Sequence, residues 1–255
     1  MDPKRIAARS LGLLLSGSLG ACGNGGSYTG SGSLPPPPGP AGYYAGELVS
    51  PVTGTDTEVV ALVADDGETR VIDPLSGTQY VAALPVAGGN LHVDETGYSG
   101  PSVRFPDKSR VCQGSLDGTL YAGVELFVNY SCGGDQGSLD LVYDDGVSFN
   151  PPDPALLTGV LQVSLTPEDI LVLMVAPAGS FTGSDTAGCS YSGSFAAGDP
   201  IIDIYTMSLT QTCGTTTLTL AGLAALVTDA SSGQQSLYYG VSDGSHSLAG
   251  LMSFD

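Results

Sequence analysis

Two pairs of cysteines, each centred on its own turn signal, constrain the fold of this 255-residue chain more than any other feature. Cys112 and Cys132 centre on Ala122, beside Gly123, whereas Cys189 and Cys213 centre on Ile201, beside Gly198-Asp199-Pro200. Paired positions of a symmetric hairpin have a constant sum, so each pair predicts facing cysteines on adjacent antiparallel strands. Facing residues lie about 4.5–5.5 Å apart, a distance that a disulfide spans. The bonds expected are therefore Cys112–Cys132 and Cys189–Cys213. The flanking text repeats as well. Residues 112–143 and 189–224 both run cysteine, Gly/Ser stretch, small-residue turn, apolar strand, Cys-Gly and a second β run.

The rest of the chain beyond residue 41 is β text. Glu58–Ala64 (EVVALVA) and Glu68–Pro74 (ETRVIDP) flank Asp65-Asp66-Gly67, a hairpin signal because Asp-Gly accepts positive φ. Similar punctuation recurs at Asp144-Asp145-Gly146 and Asp243-Gly244, and no amphipathic helix pattern interrupts it. Asn150-Pro151-Pro152-Asp153-Pro154 cannot continue a central strand. It divides the region into residues 42–149 and 155–255, each long enough for roughly eight short strands. The fold class expected is all-β: two related antiparallel barrels or sandwiches with disulfide-stapled hairpins. One larger barrel made from both halves is the alternative.

Residues 1–21 have the form of an export signal. Lys4, Arg5 and Arg9 precede the mostly apolar or small stretch Ile6–Leu19, which is too short to span a bilayer and ends in small residues. The junction Leu19-Gly20-Ala21-Cys22 resembles the lipobox of bacterial lipoproteins, in which the cysteine is lipidated and becomes the mature N-terminus. That resemblance implies a lipid anchor on Cys22, and Gly23 after it implies passage to the outer membrane, on a face the sequence leaves open. Taking Cys22 for lipid leaves four cysteines, an even number suited to two disulfides in an oxidising compartment. Residues 22–41 then form a lipidated Gly/Ser/Pro tether that reaches about 60 Å when extended. Loss of residues 1–21 removes three of the 7 basic and one of the 26 acidic residues, leaving 4 against 25 and a net charge of −21. Such a surface repels nucleic acid and anionic headgroups, so the expected partners are the membrane through its anchor and an envelope protein or glycan.

Two longer runs carry a second resemblance. Glu58–Leu84, with ALVADDGETRVID and TQYVAAL, and Gly183–Leu226, with GSDTAGCSYSG and YTMSLTQTCG, resemble uncharacterised lipoproteins of Gram-negative bacteria. This implies location and architecture, and no activity.

Reactive side chains are sparse. His246 lies in Ser242-Asp243-Gly244-Ser245-His246-Ser247, which holds the residue types of a hydrolase triad, yet a turn ahead of a strand accounts for the same letters. His92 reads as one face of an alternating strand. No cysteines cluster with each other or with a histidine, so no metal or cofactor is expected. The Asp-Gly turns lack the spacing of a calcium loop. One charge feature stands out: Arg104, Lys108 and Arg110 are three of the four basic residues after position 21, and form a possible partner-binding spot. The function expected is a non-enzymatic binding module of the envelope. The alternatives are an inhibitor of an envelope-active enzyme and a hydrolase using an unpredicted site.

Overall fold

The computed structural model describes residues 39–50, 55–86, 88–98, 108–148, 150–166, 169–198 and 202–255. The leader, Cys22, Arg104 and most of the tether lie outside the described residues. The alternating text folds into strands β1 (Gly42–Ser50), β2 (Thr55–Val63), β3 (Glu68–Asp73), β4 (Thr78–Ala83), β5 (Gly89–Tyr98), β6 (Lys108–Tyr121), β7 (Glu125–Cys132) and β8 (Asp135–Tyr143). Each strand pairs antiparallel with the next, and β8 returns to pair with β1, which closes an eight-stranded barrel. A second closed barrel follows: β9 (Gly159–Thr166), β10 (Asp169–Val175), β11 (Ser180–Asp185), β12 (Ser190–Ala197), β13 (Tyr205–Cys213), β14 (Thr216–Thr228), β15 (Gln235–Ser242) and β16 (His246–Phe254). Its closure is the pairing of β16 with β9 through Ser253↔Gln162 and Phe254↔Leu161. The chain thus forms two barrels rather than one shared barrel. Full closure removes the open edges that would otherwise recruit foreign strands.

Eight strands leave an interior that side chains fill. In the first barrel that core holds Tyr44, Leu116, Leu126, Leu139 and Leu141, all at most 1% exposed. In the second it holds Leu161, Leu173, Phe195, Tyr205, Leu220 and Tyr239. A third core lies between the barrels, where Tyr43, Val60, Leu62 and Ile72 of the first meet Ile204, Leu223, Ala225 and Ala249 of the second. This seam explains why residues 59–63 and 222–226 are apolar without a break. Their inward residues fill a barrel while their outward residues fill the seam, so both faces are dry. The seam also takes polar groups. Arg70, on the outer face of β3, donates from Nη1 to Ser242 Oγ at 2.7 Å, and Gln79 Nε2 donates to the Val241 carbonyl at 2.9 Å. Gly240 packs closely there: an added Cβ would stand 2.7 Å from Gln79 Oε1 and 3.2 Å from Ile72 Cδ1, so both side chains would have to shift.

Both expected disulfides form, with Cα–Cα separations of 5.4 Å for Cys112–Cys132 and 4.4 Å for Cys189–Cys213. The second follows the predicted register, one step beyond Ser190↔Thr212. In the first, Cys132 faces Gly114, so Cys112 meets it diagonally. The cause is a three-residue loop, residues 122–124, which centres the hairpin on Gly123 instead of Ala122. The two stapled hairpins also occupy different places, the sixth and seventh strands of one barrel and the fourth and fifth of the other.

Two further local differences from the sequence reading have clear causes. Asp65-Asp66-Gly67 is a turn, with Gly67 at φ 90°, but Asp144-Asp145-Gly146 opens one helical turn, α1 (Asp145–Ser148). Asp144 Oδ1 accepts from the Val147 amide at 3.0 Å, the capping bond that starts a helix, and Ser148 Oγ accepts from the Tyr43 amide at 2.9 Å. Pro40 and Ala41, read as the end of the tether, are buried, and Ala41 packs in the seam core. Residues 150–153 carry no strand, and Asp153 caps a 3-10 turn at Pro154–Leu157 that leads into β9.

Candidate functional site

The outer surface of the second barrel narrows the search. No lysine or arginine occurs after Arg110. The outward positions of β11–β13 are hydroxyls apart from Ala196, and include Thr182, Ser184, Ser190, Ser192, Thr206 and Ser208. The described acids of this barrel, Asp169, Asp185, Asp203, Asp229, Asp243 and Asp255, stand at strand ends and in connections. The wall away from the seam is therefore neutral, and charge collects elsewhere.

Among the described residues, three depressions along the seam are each lined by carboxylates. The first, about 390 Å³, is lined by Tyr43, Glu47, Glu58, Val60, Pro74 and Tyr238 among others. Glu47 and Glu58 face each other on β1 and β2, both exposed. Like charges set opposite one another in this way repel. Tyr43 and Tyr238, with ring centroids 5.8 Å apart, form the floor. Burial and the bonded Tyr238 hydroxyl push the Tyr43 phenol far above its usual range, so it stays a neutral donor. The second depression, about 400 Å³, lies between α1 and the β14–β15 turn and includes Asp144, Asn150, Leu156, Asp203, Leu226 and Gln235. The third is small, about 50 Å³, beside Asp65, Asp66 and Glu68.

Among the described side chains, positive charge does not offset this rim. Arg70, 6% exposed, is held inside the seam by Glu68 Oε1, Ser242 and the Ala221 carbonyl. Lys108 and Arg110 open β6, where Ser109 pairs with His246 of β16, so this stretch of backbone joins the two barrels. Their side chains, like all of Arg104, lie outside the described residues, and the cluster of the three is a sequence observation.

No family model, curated protein or solved structure matches this chain.

The histidines are engaged in turn and strand chemistry. His246 Nδ1 lies 3.1 Å from Asp243 Oδ2, and Asp243 Oδ1 also accepts from the Ser245 and His246 amides. Ser242 is turned to Arg70 instead. His92 and Asp117 face each other on β5 and β6 and are ion-paired; the hydrogen bond to Asp117 raises the imidazole's pKa and lowers that of the carboxyl. Ser115 Oγ also donates to Asp117, at 3.1 Å. Serine and histidine thus share an acid, whereas a triad needs the serine on the histidine. Among the described residues, no three His, Cys, Asp or Glu side chains group as metal ligands.

Two buried acids escaped the sequence reading. Asp203, 4% exposed, lines the second depression with Oδ1 unpartnered, and burial raises its carboxyl to about 7. Glu95, 2% exposed, faces into the first barrel with neither oxygen partnered, and burial raises it to about 8. A signal for each was present: Asp203 sits between Ile202 and Ile204, and Glu95 continues the inward phase of Leu91 and Val93.

Proposed function

We propose that this chain is a lipid-anchored binding module of the Gram-negative envelope, non-enzymatic, whose barrel seam receives a basic protein. The observation that carries this reading is the seam itself: its depressions are rimmed by carboxylates, and Arg70, the one cation described there, is already engaged. A basic partner gains attraction along the whole seam, and the mature charge of −21 speeds its approach. The tyrosine floor adds a surface for cationic side chains, since ring faces attract ammonium and guanidinium groups. A basic, envelope-active enzyme is one such partner, which makes inhibition a special case of the same surface.

The test uses the full chain with Cys22→Ser and a lysine decapeptide as probe. Binding is expected to fall steeply as salt rises, because the charges at the rim are exposed. Glu47→Gln with Glu58→Gln is expected to weaken it at least fivefold, whereas Asp94→Asn, an exposed carboxyl that lines none of these depressions, leaves it unchanged. Equal losses from both would reduce the effect to net charge and refute a seam site. The anchor has its own measurement. Cys22→Ser is expected to move the protein from the membrane to the soluble fraction and abolish labelled palmitate incorporation. A serine variant that stays lipidated would remove the anchor from this reading.

A further inference from the structure

We infer that the depression between α1 and the β14–β15 turn is a receptor for one primary alkylammonium group, a lysine side chain of the partner, with Asp203 as its counter-ion. This deepens the proposed function and rests on it. Asp203 is 4% exposed, and Oδ1 is shielded from water without a hydrogen-bond partner. Its backbone is fixed by the hydrogen bond from its amide to the Ser148 carbonyl at 3.0 Å. A carboxylate left in this state costs free energy that an incoming donor recovers.

The lining states which donor fits. Leu156, Val147, Leu226 and Ala230 give apolar surface suited to an alkyl stem, while Asp144, Asn150, Thr228 and Gln235 give polar surface suited to its head. Leu156 is 52% exposed and leaves apolar surface open at the rim. Lysine matches this division, with four methylenes behind a compact charge that donates three hydrogen bonds. Arginine does not. Its planar fork favours both oxygens of one accessible carboxylate, and Asp203 is only 4% exposed.

The experiment titrates the full chain carrying Cys22→Ser with n-butylammonium, following backbone and methyl NMR shifts of Leu156 and Leu226. Saturable shifts are expected at these residues. N-butylacetamide, which lacks the charge, is expected to give none, and propylguanidinium to bind at least fivefold more weakly. Asp203→Asn is expected to weaken butylammonium at least tenfold. Because that variant alters a buried group, Leu156→Lys gives an independent reading. A lysine tethered at the rim should raise the melting temperature and block butylammonium, and adding Asp203→Asn should cancel both effects. Butylammonium that fails to bind, or binds equally to Asp203→Asn, overturns the inference. If the decapeptide still requires Glu47 and Glu58 in that case, the seam reading stands and only the lysine receptor falls.

Discussion

Residues 150–255, expressed alone in an oxidising compartment, are expected to fold into the second barrel and then to associate. The fragment keeps its own closed sheet, its own core and both Cys189 and Cys213. No strand edge opens, since β9 still meets β16. What it loses is the cover on Ile202, Ile204, Leu223, Ala225 and Ala249, an apolar face that the first barrel dries in the whole chain. Exposed patches of this kind drive association. Cooperative melting should therefore accompany a concentration-dependent size in chromatography with light scattering. Addition of residues 39–149 should convert the fragment to a 1:1 complex. A monomer that ignores the other half would show that the seam holds through the connecting residues alone. In the intact chain, Gly240→Leu should loosen the same contact, since its Cβ would stand 2.7 Å from Gln79 Oε1; overpacking of this kind typically costs about 1–3 kcal/mol.

The seam was within reach of the sequence, and its absence from the reading has a physical explanation. Antiparallel barrels wet one face, so a strand should alternate apolar and polar residues. Val59–Val63 and Leu223–Leu226 do not alternate, and that uninterrupted apolarity is the mark of a second covered face. Reading each run only as a strand used half of its information. The disulfide pairing was more accessible, because hairpin symmetry fixes it locally; the one-residue error at Cys112 came from a loop whose centre is a glycine neighbouring the assumed one. Asp144-Asp145-Gly146 is ambiguous in sequence because Asp-Gly favours turns and Asp also caps helices; the helical turn is held by Ser148, whose hydroxyl bonds Tyr43, 105 positions away. The grooves could not be read at all. Glu47, Glu58 and Tyr238 share one only because two separate sheets pack together, and no spacing rule connects their positions.

Alkaline pH is expected to weaken the fold through Glu95. Its carboxyl lies inside the first barrel on β5, opposite Gly114, with neither oxygen partnered. Burial raises it from 4.5 to about 8. The unfolded chain therefore gives up this proton near pH 4.5, while the folded chain holds it until about pH 8. Below the lower value both states are protonated and the group costs nothing by ionisation. Between the two, the folded state binds one proton more than the unfolded, so stability falls by about 1.4 kcal/mol per pH unit. Above the upper value both are ionised and the loss is complete. Asp203, raised to about 7, adds a second loss of the same sign that ends earlier. Tyr80, which interacts electrostatically with Glu95, is pushed well above this window and does not titrate within it. Urea unfolding of the wild type and Glu95→Gln from pH 5 to pH 9 separates these contributions. The two should lie closest at pH 5, and the variant should gain on the wild type with each unit up to about pH 8. The divergence should persist in an Asp203→Asn background, where the second loss is absent. Parallel curves across the range would show that Glu95 finds a partner or water inside the barrel, and that its carboxylate is not isolated there.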